Sequence, residues 1–154
     1  MNTPKTKEEA LEMLETINKQ ANGLREFINN FGKKKPIIER CTSIRAAFEI
    51  EGIDYADWLQ NCRNNGDQAD EIAYKEIKTF ARVLNEGWDP DYGNSNEAKY
   101  YPYFDMSSGF SFNYGFYYSR TFSYSAARHV FKTDALARFA GCTILETYKR
   151  FYKK

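Results

Sequence analysis

Half of the chain's aromatic side chains fall between residues 99 and 131, and part of that run alternates with a period of two. Phe110, Phe112 and Tyr114 are separated by Ser111 and Asn113, so a strand here carries one aromatic face and one small polar face. Residues 99–105 read as a second strand, in which Pro102 marks an edge or a bulge. Ser107 and Ser108 supply the turn, and residues 128–131 read as a third short strand. A sheet this small is not stable bare, so helices must cover its aromatic face. The expected fold class is therefore α+β, with a helical N-terminal half, a small antiparallel β-meander of about three strands and a covering C-terminal helix.

Caps and periodicity place the helices. Thr6 and Glu9 have capping-box spacing. Ala10, Leu14, Ile17, Ala21, Leu24, Ile28 and Phe31 then recur in heptad phase, which predicts a helix over 6–31 with one apolar stripe. Gly23 weakens its middle by about 1 kcal/mol relative to alanine, and Gly32 ends it. The stripe suits packing on its own domain or pairing with a second copy or a partner helix. Pro36 closes this element, so the expected organisation is a 1–35 helix, for oligomerisation or a partner, and a single α+β domain over 36–154. Within the latter, Thr42 or Ser43 caps a helix over 44–51, Asp54 caps one over 55–62, and a stronger helix runs over 68–86. Ala73, Ile77, Phe80, Ala81 and Leu84 form the buried face of that stronger helix. Thr133 caps a last helix over 134–152, where Gly141 suggests a close helix–sheet contact.

Several functions are disfavoured. The 154 residues carry 22 basic and 21 acidic side chains, a net charge of +1, which argues against a purely electrostatic nucleic-acid binder. No apolar run approaches a membrane span, and residues 1–10 lack the apolar core of a secretory signal. Cys41, Cys62 and Cys142 are odd in number and widely spaced, which points to reduced thiols. His129 is the sole histidine and reads as structural. There is no GxSxG, Walker loop or GxGxxG, so no enzyme and no cofactor are expected. Catalysis would have to assemble Asp89, Asp91 and Asp105 around His129. The oxygen-rich loop from Trp88 to Glu97 invites a calcium reading, but Pro90 and Gly93 stand in the wrong places for an EF-hand, so no metal is assigned.

The tyrosines of the second half outnumber what a small core can hide, and tyrosine-rich surfaces suit protein interfaces. The expected function is a non-enzymatic interaction protein. Its protein partner would meet Tyr101, Tyr103, Tyr114, Tyr117, Tyr118, Trp88 and Tyr92, and the 6–31 helix would add self-association. The alternative is a single-stranded nucleic-acid binder that stacks bases on Tyr103 beside Lys99, Arg120 and Arg128. The residues from Gly109 to Phe112 match half of an RRM's aromatic motif, but Ser108, Ser111 and Asn113 break the pattern.

Three stretches taken together carry a family resemblance. They are residues 81–88 with Pro90 and Asp91, residues 99–104 with 109–112, and residues 131–141 with Leu145 and Tyr148. Over 43–152 the chain resembles a group of small uncharacterised proteins encoded by gut bacteria, their phages and mobile elements. Members often have tryptophan where Tyr92 and Tyr103 stand. The resemblance implies no chemistry. It implies a phage or mobile-element product, virion-associated or acting on a host factor, and so a cytoplasmic or virion location.

Overall fold

The computed structural model describes residues 4, 6–32, 34–106, 110–119 and 128–153, and for 113–119 the backbone alone. The chain divides into two compact units, Met1–Lys35 and Pro36–Lys154. The first is helix α1, Lys7–Asn30, whose Thr6 hydroxyl accepts the Glu9 N–H at 3.1 Å. No residue of α1 is buried.

The second unit is α+β. Its helices are α2 (Ile37–Arg40), α3 (Ile44–Ile50), α4 (Tyr55–Asn64), α5 (Ala69–Leu84), α6 (Asp134–Thr143) and α7 (Leu145–Tyr152), with strands β1 (Lys99–Asp105) and β2 (Ser111–Ser119) before α6. Ser43, Asp54 and Thr133 cap α3, α4 and α6, each side-chain oxygen accepting the N–H three residues on. At the start of α5 the Gln68 N–H donates to Glu71.

β1 and β2 pair antiparallel, with a bulge between Pro102, opposite Phe116, and Phe104, opposite Phe112. Proline has no N–H to give a ladder, and the irregularity falls beside it. Phe104 and Phe112 are buried with Ile77, Phe80, Leu84, Phe131, Ala137, Ala140, Ile144 and Tyr148. α6 lies on the sheet, and a Cβ at Gly141 would overlap the Phe112 ring.

Two expectations are corrected. The third strand is a single bridge, in which Tyr100 and Phe131 exchange N–H···O bonds of 3.0 and 2.7 Å. The backbone beside it bonds to a side chain instead. Asn85 Nδ2 donates to the Val130 carbonyl at 2.8 Å, and Asn85 Oδ1 accepts the Lys132 N–H at 3.0 Å. The last helix is also two helices. Ile144 leaves helical geometry at φ −117° and ψ 36°, where branched Thr143 and Ile144 follow one another.

Candidate functional site

The loop between α5 and β1 folds around a lysine. Lys99 is fully buried, and its Nζ donates to the carbonyls of Asp91, Glu97 (2.9 Å) and Asn94 (3.3 Å). It also pairs with Glu97 Oε1 at 3.1 Å and lies 5.3 Å from the centre of the Tyr92 ring. The loop's other oxygens are used locally. Asp91 Oδ1 accepts the Gly93 N–H, Asn94 Oδ1 accepts the Asn96 N–H, and Glu97 accepts the Asp91 N–H and the Trp88 indole N–H. The Lys99 ammonium, then the Asp91 and Trp88 donors, hold the Glu97 carboxyl below its usual pKa. Of the side-chain oxygens that suggested calcium, Glu97 meets the ammonium, Asp91 and Asn94 cap the loop's own amides, and the ammonium's other acceptors are backbone carbonyls. Lys99 is thus a buried internal cation, which removes it from the residues set beside Tyr103 in the single-strand reading.

The predicted contact tyrosines are distributed unevenly. Tyr103 sits at the bulge and is 53% exposed, whereas Tyr101 and Tyr92 are half-buried, as is Trp88. Tyr117 stands opposite Tyr101 in the ladder and Tyr118 opposite Tyr100. Tyr114 falls in the β2 stretch facing the bulge. The side chains of Tyr114, Tyr117 and Tyr118, and Arg120 as a whole, lie outside the described residues. Arg128 is exposed.

A cavity of about 410 Å³ opens between α5, the loop and residues 128–130. Lys78, Arg82, Trp88, Asp89, Tyr92 and Arg128 line it, over a floor that includes Ala81, Asn85 and Val130. Asn85 is 8% exposed and ties α5 to the 130–132 backbone, so it fixes one wall against another. Arg82 is fixed by Glu51, with N···O distances of 2.9 and 2.5 Å.

The carboxylates that catalysis would have had to assemble around His129 form no such cluster with it among the described residues. His129 is buried with its ring centre 4.7 Å from that of Tyr74 and 5.6 Å from that of Phe151. Burial, with Lys78 nearby, lowers its pKa to about 4. Among the described residues no three His, Cys, Asp or Glu side chains converge as a metal site would require. All three cysteines are free, and burial pushes Cys41 up to about 11, which makes it a poor nucleophile.

One polar cluster was missed in the sequence. Glu76 on α5 is fully buried, accepts the Tyr55 hydroxyl at 2.5 Å and pairs with Arg150 of α7. Burial first, and then the bond to Glu76, push the Tyr55 hydroxyl up to about 12. Ile72, Glu76, Phe80 and Leu84 are spaced four apart, so the signal for a carboxylate on the core face was present.

The fold and these sites define a helix-rich α+β domain, whose two-stranded sheet supports a cation-centred loop. No protein-family model, curated protein or solved structure matches the chain. No helix among the described residues is long and apolar enough to cross a membrane.

Proposed function

We propose that the protein is a non-enzymatic interaction protein of phage or mobile-element type. It assembles through α1 and meets a protein partner through Tyr103, its β1 neighbours and the adjoining 88–98 loop. The apolar stripe of α1 carries this reading. Leu14, Ile17, Leu24, Ile28 and Phe31 are each at least half exposed, and Phe31 reaches 76%. Solvent-facing side chains in heptad phase are self-complementary, so a second copy of α1 is the occupant that suits them. Leu11, Met13 and Phe27 widen the stripe on both flanks, which suits a bundle of several helices more than a narrow two-stranded seam. The phage or mobile-element setting rests on the motif resemblance alone. A single-strand nucleic-acid reading keeps Tyr103 and Arg128, both exposed, but loses Lys99, and it stands second.

Sedimentation equilibrium of the full chain tests the assembly. The expected result is a mass well above 18.0 kDa that returns to the monomer value in Leu24→Asp. A monomer at the highest attainable concentration would count against the proposal.

A further inference from the structure

The cavity beside the lysine-centred loop combines two features that ligand sites use together. One is an excess of positive charge, with Lys78 and Arg128 set against the single Asp89 carboxylate of the lining. Lys78 and Arg128 make no ion pair among the described residues, whereas Arg40, Lys75, Arg82, Lys99 and Arg150 all do. Lys78 also lies close enough to His129 to add to the effect of burial in disfavouring its protonation. The other feature is aromatic surface held in place. Trp88 donates its indole N–H to Glu97, and Tyr92 lies against the Lys99 ammonium, so the loop fixes both rings. The volume, about 410 Å³, falls in the range of small-molecule sites.

A bare anion would satisfy the cations and leave the rings unused. An uncharged ring would do the reverse. We propose that the cavity binds a small anion bearing a flat ring, of the nucleoside monophosphate class. Its phosphate lies at Lys78 and Arg128 and its base at Trp88 and Tyr92. Arg and Lys donors suit phosphate oxygens, and an aromatic face suits any base. Asp89 supplies an acceptor for a sugar hydroxyl or an exocyclic amine. Arg82, held by Glu51, completes the wall, and Asn85, tied to Val130 and Lys132, holds the floor. This site lies within Pro36–Lys154 and does not depend on assembly through α1.

The test is a titration with adenosine 5′-monophosphate at low ionic strength, with inorganic phosphate and adenosine in parallel. Trp58→Phe leaves Trp88 as the sole tryptophan reporter, and the imidazole resonances of His129, the sole histidine, give an independent readout in the unmodified chain. The expected result is saturable binding of the nucleotide, weaker binding of phosphate and of adenosine, and a loss of about tenfold in affinity in Lys78→Ala or Arg128→Ala. Lys149→Ala, an exposed cation on α7, leaves the affinity unchanged. The proposal is overturned if the nucleotide does not saturate either signal at millimolar concentration, if phosphate binds as tightly as the nucleotide, or if both cavity variants keep full affinity. Saturation by a short oligothymidylate where the mononucleotide fails would overturn it too, and would assign the wall to a nucleic-acid strand.

Discussion

A lysine ammonium has three N–H donors, and Lys99 directs its own at the carbonyls of Asp91, Asn94 and Glu97. The charge comes from within the chain, so the loop needs no free ion to close. Removing it leaves those carbonyls and the Glu97 carboxylate without their partner. Lys99→Met should therefore cost about 1–3 kcal/mol in urea denaturation. Hydrogen exchange should show the Gly93 and Asn96 amides opening first, since their acceptors belong to the same loop. Lys99→Arg should not rescue the loop, because a planar guanidinium cannot point its donors inward around one centre. Unchanged protection at Gly93 in Lys99→Met would show that the local turns hold the loop without the ammonium. Acid should act in the same direction. The Glu97 carboxyl titrates below its ordinary value in the folded protein, so its contribution is present above that value and is lost as pH falls through the folded one.

At the scale of elements, two glycines in helices predict opposite outcomes. Gly23 lies within α1 with nothing within 4 Å of where a Cβ would stand, so Gly23→Ala should stabilise α1 by about 1 kcal/mol. Gly141 lies in α6 against the Phe112 ring. There the same gain in helix propensity is opposed by a clash with a ring locked in the core, and Gly141→Ala should destabilise by about 1–3 kcal/mol. Thermal melts followed at 222 nm separate the two, and a stabilising Gly141→Ala would mean that Phe112 moves aside freely. Gly141 was legible because a glycine inside an otherwise periodic helix implies close approach. The caps Thr6, Ser43, Asp54 and Thr133 were legible for a similar reason, since each acts within three residues of itself. The features missed depend on partners far along the chain. Asn85 stands in for a strand neighbour at residues 130–132, and Glu76 meets Arg150 across two helices. Lys99 read as a surface cation because lysine is almost never fully buried, and only the loop that closes over it shows otherwise. Of the candidate site, Trp88, Tyr92 and Arg128 were picked out singly, but their convergence with Lys78 and Arg82 required the fold.

At the scale of the whole molecule, the unit Pro36–Lys154 has one apolar core, and His129 is buried beside α5 and α7. Its ring packs between Tyr74 and Phe151, and its Nε2 has no hydrogen-bond partner among the described residues. Such a side chain is tolerated only while neutral. Burial and then Lys78 lower its pKa from the ordinary 6.5 to about 4, so below pH 6.5 the unfolded chain takes up a proton that the folded chain refuses. Stability linked to His129 is therefore full above pH 6.5 and falls as pH drops towards 4. At about 1.4 kcal/mol per pKa unit, the loss over that window is about 3 kcal/mol. Urea denaturation at a series of pH values should show this decline in the unmodified chain. His129→Phe keeps an aromatic ring in the slot but has no proton to accept, and it should flatten the profile above pH 5 or so, where the carboxylates contribute little. An equally steep decline in His129→Phe would assign the pH sensitivity to the acidic side chains and leave the buried imidazole as simple packing.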